Sequence, residues 1–156
     1  MSAAFEYALL TAVPRIDRGE RINVGVLLHC QQADFLAAAV SVDADRLRAL
    51  DPAVDVTAVC AALDSIQRIC AGVGAGDGGG HRAGHGADHG ADHGAGHGAD
   101  HGVADPALSG STGVRFGRLA APRSTVVQPG PVHGGLTDDP AAALERLLDR
   151  LVRIAG

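Results

Sequence analysis

Six histidines recur at every fourth position: His81, His85, His89, His93, His97 and His101, set among Gly, Ala and Asp. Imidazole is the commonest protein metal ligand and suits zinc, nickel and copper. A loose chain can wrap several such rings around one ion. The tract is therefore a candidate zinc or nickel site, independent of the rest of the chain. The plainer alternative is a repeat expanded within a loop. A structural zinc site of the usual kind is not expected, because no Cys lies near the tract and the ligand spacing is uniform instead of paired.

The remaining candidates lie in two polar stretches. The first runs from Pro14 to Glu20 and holds Arg15, Asp17 and Arg18. Clustered guanidiniums can grip a phosphate or carboxylate bidentately; the alternative is a solvated hairpin turn whose charges neutralise one another. Asn23, the only Asn in the chain, follows on an apolar strand. It is either a satisfied core amide or a site residue. By strand alternation His29 shares its face, but six residues further on, about 20 Å away, so His29 reads as a strand-end residue. The second stretch carries Arg123, Ser124, Gln128 and His133 between prolines and glycines. It reads as an anion pocket, or as a loop held by its own side-chain hydrogen bonds. A serine hydrolase is not supported, for the chain lacks the G-x-S-x-G elbow and an evident third triad member. The Gly-rich tract is no phosphate loop, since it has no Lys and does not lead from a strand into a helix. Cys60 and Cys70 sit ten residues apart on one predicted helix and read as small core hydrophobes.

The elements that must position these groups are legible from periodicity. Residues 5–13, 22–30 and 35–42 read as three strands joined by short polar turns, an antiparallel meander. Alternation places Val24, Val26, Leu28 and Cys30 on one face, and Asn23, Gly25, Leu27 and His29 on the other. Asp43 caps a short helix ending at Leu50. Asp51-Pro52 has the form of a helix start, and an apolar stripe from Val56 to Cys70 follows at helical spacing, ended by Gly72. Residues 115–123 read as a strand with a turn at Pro122. A short β-prone run at 125–127 is broken by Pro129-Gly130-Pro131, and Val132–Leu136 is another short strand or edge segment. Asp139-Pro140 then opens a helix with Leu144, Leu147, Leu148, Leu151 and Val152 on one stripe, and Asp149 with Arg153 as a pair on its wet side. The expected fold class is α+β: a small antiparallel sheet of three or more strands in two layers with two main helices.

Residues 72–106 are a different material. Thirteen Gly fall between 72 and 102, too many for a helix. The segment reads as a disordered, low-complexity insertion. Its five Asp against one Arg account for −4 of the formal net charge of −5, leaving −1 for the rest. Residues 1–71 and 107–156 then form one domain. The chain has 156 residues, 46% hydrophobic and only 3% aromatic, so Leu, Val and Ala must fill its core. All 13 cations are Arg, a pattern that codon bias can produce. The acidic balance and scarce aromatics argue against nucleic-acid binding. No apolar run is long enough to span a bilayer, and the N-terminus lacks the positive charge of a signal peptide. Three Cys with no C-x-x-C spacing fit a reducing compartment, so the expected localisation is cytoplasmic.

Two signatures carry a resemblance. Tyr7-Ala8-Leu9-Leu10, Val13-Pro14, Arg18-Gly19-Glu20 and Ile22-Asn23-Val24-Gly25-Val26 form the first. Ala121-Pro122-Arg123-Ser124-Thr125, Gln128, Pro131-Val132-His133, Gly135 and Asp139-Pro140 form the second. In this order they resemble the opening and closing signatures of the bacterial family known as domain of unknown function 3037. The resemblance covers most of residues 5–154 outside the His-rich insertion, which departs from the family pattern, and it implies no reaction. It does draw Arg18, Glu20, Asn23, Arg123, Ser124, Gln128 and His133 together as one ligand-binding cluster at an end of the sheet. If chemistry occurs there, His133 or Glu20 is the candidate acid or base. Three functions are thus expected in turn: binding of a small anionic ligand or a protein partner through this cluster; an enzyme acting there on a phosphate-bearing or nucleotide-like substrate; and zinc or nickel binding by the histidine tract.

Overall fold

A computed structural model of the chain describes residues 1–72 and 105–154. Strands β1 (Ala3–Ala12), β2 (Ile22–Cys30) and β3 (Phe35–Val40) form the expected meander. A fourth strand, β4 (Val127–Thr137), adds antiparallel to β1, so the sheet order is β3-β2-β1-β4. The prolines at 129 and 131 do not end β4. They are tolerated because β4 is an edge strand, where one row of backbone groups has no ladder to join. The register slips between Ala8 and Leu10 beside them.

Helices α1 (Ala44–Leu50), α2 (Val56–Ala71), α3 (Thr112–Ala120) and α4 (Pro140–Leu151) complete the α+β architecture, with one 3-10 turn at Pro106–Leu108. The Asp43 and Asp139 caps form as expected, each carboxylate accepting from first-turn N–H groups. Asp51-Pro52 does not start a helix. The Asp51 N–H is already donated to Leu47 O at the end of α1, and its Oδ1 accepts from Ala53 N in a turn. Asp55 caps α2 instead, its carboxylate 2.9 Å from Ala58 N. The predicted strand at 115–123 is the second correction, since the segment lies within α3 up to Ala120. Ser111 caps it, and Phe116 and Leu119, three residues apart, both turn into the core. Burial of that stripe outweighs the β preference of Val and Phe.

Helices cover both faces of the sheet, not one. On the first face, Leu10, Val24 and Leu27 pack with Leu47 of α1, Leu63 of α2 and Phe116 of α3. On the second, Val26, Leu28 and Cys30 pack with Leu144, Leu148 and Val152 of α4. The two-layer expectation fails because β2 is apolar on both sides, and each buried Leu contributes roughly 1.5–3 kcal/mol by leaving water.

A β-bulge determines which side chain goes where. Leu10 pairs with Gly25 but Thr11 pairs with Asn23, so Val24 is an extra residue in β2. Alternation restarts across it. Val24 joins the α2 side while Val26 faces α4. Asn23 and His29, expected on one face, lie on opposite faces. Gly25 follows the bulge at a close approach, where a Cβ would stand 2.8 Å from Ala39 O of β3.

Candidate functional site

The backbones of the two polar stretches meet at one end of the sheet, where Val13 N donates to Val126 O at 2.7 Å. Their side chains are engaged locally. Arg15 donates to Asp17 from Nε at 3.1 Å, and Arg18 to Glu20 from Nε at 3.2 Å, all exposed. The hydrogen bond from Arg15 holds the Asp17 carboxyl below the usual carboxylate range. Asn23 donates to Leu151 O at the last turn of α4, 3.1 Å away. Arg123 folds back onto Arg118 O, 2.6 Å away, and Ser124 is exposed in the same loop. Asn23 and Gln128 flank Thr11 on the two neighbouring strands. Thr11 donates its hydroxyl to Gln128 O at 3.1 Å. His133 pairs opposite Tyr7, with ring centroids 5.4 Å apart. Four residues along β1 separate Tyr7 from Thr11, about 13 Å at strand rise. The structure therefore gathers Asn23 and Gln128 around Thr11. It leaves Arg18 with Glu20, turns Arg123 back from its loop onto the end of α3, and sets His133 further along the sheet.

The histidine tract, His81 to His101, and its zinc or nickel reading lie outside the described residues. Among the described residues no group of three or more His, Cys, Asp or Glu is arranged to hold a metal ion. No helix among them is long and apolar enough to cross a membrane.

A different place gathers polar groups around a cavity. A groove of about 610 Å³ opens between the β1–β2 hairpin, the β2–β3 turn and the first turn of α3. His29 lines it from β2, and Glu6 stands opposite on β1. The imidazole is almost wholly enclosed, its side chain 6% exposed. One face of the ring stacks on Phe116, with centroids 5.2 Å apart. Nδ1 lies 4.0 Å from Glu6 Oε2, too far for a good hydrogen bond. Nε2 is buried without a hydrogen-bond partner among the described residues, an arrangement that native cores seldom leave unexplained.

The rest of the groove is set by α3. Gly113 faces the ring: a Cβ there would lie 3.6 Å from Cε1 and 3.8 Å from Nε2 of His29. Ser111 Oγ accepts from Val114 N at 3.3 Å, and Ser111 O from Arg115 N at 3.0 Å. Thr112 and Gly113 are the first two residues of the helix, so their N–H groups have no partner within it. Thr112 Oγ1 donates to Asp34 Oδ1 at 2.9 Å, which fastens the β2–β3 turn to the helix. Asp34 has a left-handed φ of 46°, a conformation Asp tolerates better than most residues.

Sequence reasoning missed this site because His29 read as a strand end and the helix beside it as a strand. Its parts come from positions 6, 29, 34 and 111–116, and no spacing joins them. The one available signal was a lone His on a strand that is otherwise almost entirely apolar.

No curated protein and no solved structure matches the chain. The family model described as "Protein of unknown function (DUF3037)" does match, over residues 7–152, and the chain belongs to that family.

Proposed function

We propose that this protein is a small-ligand binding module and that the groove at His29 is its site. The observation that carries this reading is a buried imidazole with an unpartnered nitrogen on the wall of a cavity of ligand size. Ligand binding through an acidic group was expected at the rim formed by residues 18–23 and 123–133. The rim has the Val13–Val126 contact in its favour, but its guanidiniums are engaged by neighbours. The groove offers instead the first turn of α3, where the helix dipole favours an anionic group and the Asp34 carboxylate already bonds Thr112. No Arg is among the described residues that line it, so none of them favours a phosphate-bearing or nucleotide-like substrate. The three cysteines are free, which supports a reducing, cytoplasmic setting.

Ligand-observed NMR against a mixture of small carboxyl-bearing metabolites, followed by amide shift mapping, tests the proposal. Shifts centred on Glu6, Gln31 and 111–114 are expected. Shifts confined to 18–23 and 123–133 would move the site to the rim. Silence at both places would remove the binding reading. Metal binding by the histidine tract is a separate proposal, supported by the four-residue spacing. Deleting residues 78–102 should abolish nickel affinity, and survival of that affinity would place the metal elsewhere.

A further inference from the structure

We infer that two copies of this chain pair through the outer edge of β4, strand against antiparallel strand, into one continuous sheet. Val13 N donates to Val126 O, so by alternation Tyr7, Phe5 and Ala3 also turn their backbone groups towards β4. Their partners there are His133, Gly135 and Thr137. The backbone groups of Val132, Gly134 and Leu136 therefore point away from the sheet. Among the described residues no side chain or loop bonds them. Val132 is 46% exposed and Leu136 73%. Natural edge strands are guarded by charge, proline or a covering element. The other edge, β3, has such a guard: Ser41 N donates to Val24 O, so by alternation Ala38 O points outward, and Gln67 of α2 donates to it at 3.1 Å. β4 carries its prolines near its start, and from Val132 to Thr137 it has no proline, carboxylate or Arg.

A second copy is the occupant because this stretch is its own complement. With Gly134 opposite Gly134 on a two-fold axis, Val132 lies opposite Leu136 of the second copy, and Leu136 opposite its Val132. Both exposed apolar side chains are then covered on one face. On the other face His133 stands opposite Gly135 of the second copy. The Phe5 ring fills the side-chain place at Gly135, where a Cβ would lie 2.6 Å from Phe5 Cζ. No like charges meet, since Asp138, just past the strand, falls opposite Gly130. The paired strip, residues 131–137, is about 20 Å long. It covers less surface than a permanent dimer needs, so the association is reversible and depends on concentration. It closes at two copies, because the edges left over are the guarded β3 strands.

Sedimentation of the full chain from about 5 to about 500 µM, the range that suits so small an interface, should show monomer giving way to dimer. Over the same range hydrogen exchange at the Gly134 and Leu136 amides should slow by at least about tenfold, while the β3 amides stay unchanged. Leu136→Lys, at an exposed site, should raise the dissociation constant at least about tenfold, through apolar burial lost at both symmetric contacts. Gly134→Pro removes the central N–H donors but keeps the apolar contacts, and it should dissociate the dimer as well. Its Cβ would meet Phe5 O at an ordinary 3.6 Å. Urea midpoints at monomeric concentration should match the unaltered chain for both variants; if Gly134→Pro falls short, Leu136→Lys decides. A chain that stays monomeric at the highest concentration overturns the inference. So does a dimer that Leu136→Lys leaves intact, since the contact then lies elsewhere. Gly134 and Leu136 amides already protected in the monomer would also overturn it, because a segment of the same chain would then cover the edge.

Discussion

His29 and Asn23 show how much a single side chain's setting depends on its neighbours across the sheet. Asn23 completes the hydrogen bonding of the last turn of α4 through Leu151 O. It is a satisfied amide, one of the two readings its sequence position allowed. His29 keeps a nitrogen without a partner among the described residues, and for that reason it draws the functional reading. Cysteine reactivity is decided at the same scale. Burial pushes the Cys70 thiol up to about 12, so it stays protonated near neutral pH and is a poor nucleophile. Iodoacetamide on the native protein at neutral pH should modify the partly exposed Cys60 and spare Cys70. Peptide mass mapping checks this, and equal labelling of the two would contradict the burial.

At the scale of elements, α3 and the β2–β3 pairing make opposite predictions for two glycines. Gly25 has Ala39 O in the place of its Cβ, at 2.8 Å. Gly25→Ala should destabilise the fold by about 1–3 kcal/mol, as overpacking does in a close-packed interior. Gly117 lies inside α3 with nothing within 4 Å of its Cβ position. Gly117→Ala should stabilise by about 0.5–1 kcal/mol, because Ala loses less backbone entropy in a helix. Urea denaturation of both variants gives the signs, and a destabilised Gly117→Ala would mean that α3 is not helical there. Helix α4 is the element most open to sequence reading. Its Asp-Pro start, its Leu stripe and its Asp149–Arg153 pair are all present. Helix α3 was the least open, since Gly113 and Gly117 weaken its helical signal while Val114 and Phe116 favour a strand.

For the whole molecule, the described core closes without the histidine tract. Arg115 donates to Cys70 O at the end of α2 and to Gly110 O, and Arg118 donates to Pro106 O and Ser109 O. These bonds hold the two ends of the insertion on one side of the fold. A chain lacking residues 78–102 should therefore unfold in one cooperative transition at a stability no lower than the intact protein. A shorter connection lowers closure entropy, by roughly 0.6 kcal/mol per halving of its length. Calorimetry of the two chains checks it, and a broad or much lower transition would show that the tract supports the core.

The sequence by itself determined the strand meander, the caps at Asp43 and Asp139, the α4 stripe and the family. All of these are local: a periodicity of two or of 3.6, a carboxylate beside free N–H groups, or a run of neighbouring residues. The tertiary structure decided the faces. One extra residue at Val24 turns Asn23 towards α4 and leaves His29 under α3, and no local pattern announces that bulge. The groove arises only because β1, the β2–β3 turn and a helix from beyond the insertion are brought together by burying apolar surface. That driving force is non-directional, so it sets contacts between segments whose separation along the chain carries no trace of them.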